Sequence, residues 1–155
     1  MSAAIPQTGR LLGIDFGTVR VGVAVCDEGQ SIASPLDVYT RRNEKLDGES
    51  FIKLAHEIGA VGIVVGLPIH MSGDDSENSA EAREYGQWLE SVMNLPVDWI
   101  DERFSTARAR ELLNSSNLSA KQRKARLDKI AAQAILMSYL ESNRQQTERS
   151  ESIDD

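Results

Sequence analysis

The 155-residue chain has few of the residues that cross-link or anchor a protein. Cys26 is its only cysteine, so it can form no internal disulfide, and a reducing compartment suits it. One cysteine and two histidines are too few for a typical zinc site. No apolar run approaches the ~20 residues of a membrane helix, and the first ten residues, MSAAIPQTGR, do not have the pattern of a secretory signal. We therefore expect a cytoplasmic protein with no membrane partner.

Basic and aromatic residues are also scarce. The 17 Lys and Arg against 24 Asp and Glu give a net charge of −7, which by itself argues against nucleic-acid binding. Aromatic residues make up 5%, with no aromatic-rich RNA-binding signature, and we interpret Trp88 and Trp99 as core residues. The charge is unevenly distributed, however: the segment from Arg103 to Lys129 carries +6, leaving −13 elsewhere. This favours one basic face on an acidic body, the alternative being a solvated helix face.

The hydrophobic pattern predicts an α/β domain. Short apolar or alternating runs predict strands, and apolar residues at helical spacing predict helices between the later ones. The predicted strands cover 11–15, 19–26, 32–39, 61–67 and 97–100, and the predicted helices 50–58, 76–92 and 127–139. The order β-β-β-α-β-α-β-α predicts a mixed five-stranded sheet with helices on both faces. Residues 1–9 and 143–155 are predicted to be flexible tails, which leaves a domain over 10–142.

Three carboxylates occupy positions that structure alone does not require. Asp15 ends an apolar strand, where burying it unpaired would cost several kcal/mol. Glu102 directly follows the last predicted strand, and Asp128 lies in the first turn of the last predicted helix. Each also has an ordinary interpretation: hydrogen bonds to the glycine turn after Asp15, an arginine partner for Glu102, and a favourable helix dipole for Asp128.

The three carboxylates could instead converge at one end of the sheet. Hard oxygen ligands of this kind indicate Mg²⁺ or Mn²⁺ rather than zinc. Together with a basic face, they predict two-metal hydrolysis of a phosphodiester, with Asp15 shared between the ions and Glu102 and Asp128 each holding one. Basic side chains would engage the phosphates of a nucleic-acid substrate. These substrate-binding candidates are Arg20, Arg103, Lys121, Arg123, Lys124 and Arg126.

Four motifs in this order make the chain resemble the YqgF/RuvX family of the ribonuclease H-like superfamily. They are GIDFGTVRVGVAV, VVGLP, DERFST and LDKIAAQAIL, and the resemblance extends from Leu11 to Leu140. It implies a ribonuclease H-like fold with metal-binding carboxylates at Asp15, Glu102 and Asp128. It also implies roles for Arg20 and the glycines of the first motif, Gly13, Gly17 and Gly22. The implied function is a cytoplasmic nuclease that processes the 5′ end of the 16S ribosomal RNA precursor.

The sequence is also compatible with other functions. Members of the family are also candidate Holliday junction resolvases, which would act on DNA as symmetric dimers. We find no clear dimerisation face and expect a monomer or weak homodimer. A non-catalytic RNA-binding module is a further alternative. The segment GIDFGT also resembles the first phosphate loop of actin-like ATPases, but those enzymes need two such domains. The role of the 68–75 loop, where His70 departs from the family pattern, is left undecided.

Overall fold

A computed structural model describes residues 4–67, 77–101 and 129–143 of the chain. The described elements follow the predicted order, β-β-β-α-β-α-β-α. The strands are β1 (Arg10–Asp15), β2 (Arg20–Cys26), β3 (Ala33–Thr40), β4 (Ala60–Leu67) and β5 (Val97–Asp101). The helices are α1 (Glu44–Ile58), α2 (Glu77–Met93) and α3, which is described over 129–143.

The strands form one mixed sheet in the order β3-β2-β1-β4-β5, which confirms the predicted five-stranded sheet. Strands β1, β2 and β3 are antiparallel neighbours, since short connections can only join antiparallel strands. Strands β4 and β5 are parallel to β1 because α1 and α2 cross over the sheet between them. Strand β1 is therefore central, and its carboxyl end lies at the same edge as those of β4 and β5.

Strand β3 lies at one edge of the sheet, as Pro35 predicted. Pro35 pairs with Ala24, and the β2–β3 register shifts between Val23 and Ala24. Proline has no amide hydrogen to donate, so an irregular edge strand is where it costs least.

Each face of the sheet carries its own core, because the strand side chains alternate between the faces. On one face Leu11, Ala24 and Val64 pack against the α3 residues Ala132, Ile135 and Leu136. On the other face Leu12, Ile14 and Val65 pack with Phe51 of α1 and Leu89 of α2. We call these the α3 face and the α1/α2 face. The prediction of helices on both faces is confirmed.

Helix α1 begins six residues earlier than the hydrophobic spacing predicted. Asn43 caps it by accepting a hydrogen bond from the Leu46 amide at 3.0 Å. The buried Asp47 carboxylate accepts hydrogen bonds from the Tyr39 hydroxyl at 2.6 Å and the Arg42 amide at 3.0 Å. Polar bonds rather than an apolar stripe thus hold the first turns, so the apolar pattern alone starts too late.

Strand β2 starts one residue later than the predicted strand over 19–26. Strand β2 begins at Arg20, and the Val19 side chain is 65% exposed. Val21 and Val23 are buried as expected. The two valines are therefore buried within the paired strand, whereas Val19 is exposed in the turn before it.

Part of the segment predicted as an N-terminal tail contacts the domain. Ile5 packs against the core of the α3 face. The Gln30 side-chain amide donates to the Pro6 and Gly9 carbonyls at 2.9 and 3.0 Å. The domain limits at residues 10 and 142 remain predictions. Among the helices described, none has the length and apolar character to cross a membrane.

A hydrogen bond links α3 to the edge strand β5. The Tyr139 hydroxyl donates to the Asp98 carboxylate at 2.9 Å. Burial raises the pKa of Tyr139 from its ordinary 10.0 to about 12, and the Asp98 carboxylate acts in the same direction. This bond stabilises the docking of α3 on the sheet.

Tyr139→Phe is expected to lower the free energy of unfolding at neutral pH by about 1 kcal/mol, through loss of this bond. Because the folded-state pKa is raised, the contribution of Tyr139 is complete below pH 10 and is lost as pH rises toward 12. Urea titrations at pH 8 and pH 11 should therefore show a smaller alkaline loss of stability in the variant. Equal losses in both proteins would contradict this.

Candidate active site

Asp15, the first predicted catalytic residue, is half-buried at the carboxyl end of the central strand. Gly13, two residues earlier, lies against α3, while Ile14 belongs to the core of the α1/α2 face. Alternation therefore directs Asp15 to the α3 face. The sequence predicted a carboxylate at the end of a buried strand, and the strand does end there.

Glycines flank Asp15 on both neighbouring strands. Gly22 of β2 pairs directly with Asp15. On β4 Val65 pairs with Ile14, so the same register brings Gly66 level with Asp15. Neither strand therefore places a side chain beside the carboxylate on its own face. At the level of the sheet, the neighbour of Asp15 on each adjoining strand is therefore a glycine.

Gly13 lets α3 approach β1 closely. A Cβ atom at Gly13 would lie 2.8 Å from the Leu136 Cβ and 3.0 Å from the Ala132 carbonyl oxygen. Atoms cannot sit this close in a packed interior without displacement. The described part of α3 starts directly after Asp128 in the chain, and Gly13 sets how near this helix lies to the strand that carries Asp15.

Arg20 lies on the same face as Asp15. It opens β2 two residues before Gly22, the partner of Asp15, and residues two apart along a strand share a face. Its side chain is exposed. The structure thus brings one predicted substrate-binding cation to the edge and the face where the first carboxylate lies.

The turn after Asp15 is held by Gly17 and Arg41. A Cβ atom at Gly17 would overlap the Arg20 carbonyl oxygen, so this tight turn requires glycine. The Arg41 guanidinium donates to the Gly17 and Thr18 carbonyls at 3.2 and 3.4 Å. It also lies 5.4 Å from the centre of the Phe16 ring. These contacts fix the backbone of the turn that follows Asp15.

A cleft of about 600 Å³ opens beside this turn, on the α1/α2 face. The β1–β2 turn, the β3–α1 junction and helix α2 form its walls. Sequence reasoning missed it, because its residues come from three separate segments with no local motif. They are Phe16, Thr18, Arg41, Arg42, Asn43, Glu44, Asp47, Glu81, Glu84, Tyr85 and Trp88.

The other predicted site residues lie outside the described segments. They are Glu102, Arg103, Lys121, Arg123, Lys124, Arg126 and Asp128, and the loop with His70 is outside as well. Within the three described segments, no group of three or more metal-ligating side chains occurs. The metal site and the basic cluster therefore remain predictions, of which only Asp15 and Arg20 have a described position.

The fold resembles that of known resolvases. RuvC of Thermus thermophilus matches with a TM-score of 0.55 and 15% identity, over 89% of this chain and 97% of that one. A Fowlpox virus resolvase, solved with Holliday junction DNA, matches with a TM-score of 0.52 and 12% identity, over 86% and 97%. At such low identity these likenesses concern the fold alone. Together with the sheet order, they define a ribonuclease H-like α/β domain.

Sequence comparison then gives the family. A family model described as "RuvX: Holliday junction resolvase" matches residues 9–142. A Rhodopirellula baltica protein is 42% identical over 139 residues, 90% of this chain and 80% of its own length. A Neisseria gonorrhoeae protein is 39% identical over 137 residues, 88% and 90% of the two chains. Both are named "Putative pre-16S rRNA nuclease". The chain belongs to the RuvX family, which confirms the resemblance found in its motifs.

Proposed function

We propose that this protein is a nuclease that hydrolyses phosphodiester bonds at the 5′ end of the 16S ribosomal RNA precursor. The observation that carries the proposal is the position of Asp15 in a RuvX chain: half-buried, at the carboxyl end of the central strand, with glycine on both sides. The names of the relatives support the substrate. We further propose that it acts in the cytoplasm, as a monomer or weak homodimer.

The residues fit a divalent cation. Asp15 offers carboxylate oxygens, the ligands that Mg²⁺ and Mn²⁺ prefer, and its flanking glycines leave room for an ion and its waters. Glu102 is bonded to the last residue of β5, and Asp128 to the first described residue of α3. We propose that these three carboxylates hold two ions, with Asp15 shared. Bound there, the ions would stabilise negative charge on the phosphate and activate the attacking water.

The protein's own basic groups would orient the substrate. Arg20 lies on the Asp15 face and can contact a phosphate without reading sequence. Arg103 and the cluster Lys121, Arg123, Lys124 and Arg126 would add further phosphate contacts. The +6 charge of their segment would attract RNA to a chain that is otherwise acidic.

The three alternative functions have less support than the proposed one. A Holliday junction resolvase is favoured by the description of the family model, and a junction cutter would place two sites on two strands through a symmetric dimer. A non-catalytic RNA-binding module would need no carboxylate at Asp15. An actin-like ATPase would need a second domain to close over the nucleotide, whereas the family model that matches residues 9–142 is described as that of a Holliday junction resolvase.

A side-by-side cleavage assay tests the proposal. The purified protein is incubated with a transcript spanning the 5′ end of the 16S precursor and, separately, with a four-way DNA junction. Each reaction contains Mg²⁺, Mn²⁺ or EDTA. We expect cleavage of the transcript with either metal and none with EDTA. Cleavage of the junction alone would make the protein a DNA resolvase, and RNA binding without any cleavage would make it a binding module.

A further inference from the structure

The cleft on the α1/α2 face has the character of a binding site for a planar ring. Three aromatic side chains form a connected group along it. Phe16 and Tyr85 have ring centres 5.1 Å apart, and Tyr85 and Trp88 5.4 Å apart. The Arg41 guanidinium lies 5.1 Å from the Tyr85 ring centre and is held by two carbonyls. Aromatic rings and a fixed guanidinium plane are the surfaces on which nucleobases stack.

Tyr85, which lines this cleft, carries an unexplained polar group. Its side chain is 6% exposed, and within the described segments its buried hydroxyl has no hydrogen-bond partner. Burial raises the pKa of this hydroxyl, so it is neutral and able to donate or accept. A buried hydroxyl without a partner is costly, and a ligand that bonds to it would remove that cost.

The charges of the cleft disfavour a phosphate as the main occupant. Two arginines, Arg41 and Arg42, line the cleft together with four carboxylates. The carboxylates are those of Glu44, Asp47, Glu81 and Glu84. This excess of negative charge repels phosphate but suits the amino and imino hydrogens of a base, to which carboxylates can accept hydrogen bonds.

We propose that this cleft binds one unstacked nucleobase of the nucleic-acid substrate, with a preference for bases that carry an amino group. The proposal rests on the proposed nuclease function. Phe16, in the cleft, is bonded to Asp15, so their Cα atoms are only about 3.8 Å apart. A strand whose phosphate lies at Asp15 can therefore turn an adjacent base over the sheet edge into the cleft. Trp88, which we interpreted from sequence as core, would then form part of this subsite as well.

Trp88 provides a direct measurement. The chain has two tryptophans, so Trp99→Phe leaves Trp88 as the sole indole reporter. The protein is titrated in EDTA with AMP, GMP, CMP, UMP and ribose 5-phosphate. We expect the three amino-bearing nucleotides to quench Trp88 fluorescence saturably, UMP to bind more weakly, and ribose 5-phosphate to have no effect. The Trp88 indole N–H resonance in the natural protein gives the same titration if Trp99→Phe fails to fold.

Tyr85→Phe separates binding from folding. Because the hydroxyl has no partner in the described segments, its removal should leave the melting temperature unchanged or higher. Nucleotide affinity should nevertheless fall about fivefold, the effect of one lost hydrogen bond. Tyr139→Phe is the matched control. It removes a hydroxyl on the α3 face and should leave nucleotide affinity unchanged.

Three results would overturn the proposal: no saturable quenching, equal binding of ribose 5-phosphate, or full affinity in Tyr85→Phe. The titration contains no metal and involves no cleavage, so it is independent of the nuclease assay. Nucleotide binding without transcript cleavage would refute the proposed processing of the 16S precursor and leave a nucleotide site. Transcript cleavage without nucleotide binding would refute only the base subsite.

Discussion

Asp15→Asn is expected to slow metal-dependent cleavage of the precursor transcript by about a thousandfold. Asparagine keeps the shape of the side chain but removes the charge that would hold the cations. Metal ions contribute several kcal/mol of transition-state stabilisation, and about 4 kcal/mol corresponds to three factors of ten in rate. Single-turnover cleavage measured at saturating Mg²⁺ checks the prediction.

Binding and stability distinguish catalysis from scaffolding in this variant. RNA affinity should be unchanged or higher, because one negative charge near the phosphate has been removed. Asp37→Asn is the control, since Asp37 is an exposed carboxylate on the edge strand β3. It should cleave at the natural rate. If Asp15→Asn also cleaves at that rate, or loses activity only by unfolding, Asp15 is a structural residue and the proposed site is wrong.

Gly13→Val is expected to have the largest effect on stability. The added Cβ would lie 2.8 Å from the Leu136 Cβ, and the valine methyl groups would lengthen the overlap. Overpacking of this kind costs up to about 3 kcal/mol, which for a chain of this size lowers the melting temperature by roughly 6–12 °C. Thermal and urea unfolding measure it. Transcript cleavage should fall as well, because the described part of α3 follows directly after Asp128, a proposed metal ligand.

Graded substitutions make this prediction specific. The stability of the Gly13→Ala protein should lie between that of the natural protein and that of the Gly13→Val protein. Gly29→Ala is the matched control, because a Cβ there would meet the Asp27 carboxylate at 3.4 Å and the Ser31 hydroxyl at 3.6 Å, which are ordinary contacts. Its stability should stay close to that of the natural protein. A Gly13→Val protein as stable as the Gly29→Ala protein would show that α3 can shift without cost.

The sheet was predictable because its signals are local. Alternating valines in β2 and the continuous apolar run of β4 each indicate a strand within a few residues, and Pro35 indicates an edge. Local sequence signals do not predict an element boundary that depends on polar contacts between separated residues. The start of α1 depends on Asn43 and on the buried bond between Asp47 and Tyr39, which join residues up to eight positions apart.

The candidate site was predictable only in part. A carboxylate that ends an apolar strand is visible in the sequence, which is why Asp15 could be chosen. That Gly66 lies beside Asp15 follows only from the β1–β4 register, which cannot be read from either segment alone. The cleft is harder still: Phe16, Arg41 and Tyr85 are far apart along the chain and meet only once the sheet and both of its helices have formed.

The central position of β1 in the sheet also affects how the protein folds while it is being synthesised. The edge of β1 that pairs with β2 can do so once about a dozen further residues have been synthesised. The edge that pairs with β4 stays unpaired until residues 60–67 have been synthesised. At about 5–20 residues per second, translation from Asp15 to Leu67 takes roughly 3–10 s. For that time a nascent hairpin exposes an apolar strand edge, which can pair with other chains. Shielding of this edge during synthesis is therefore a condition for a productive yield.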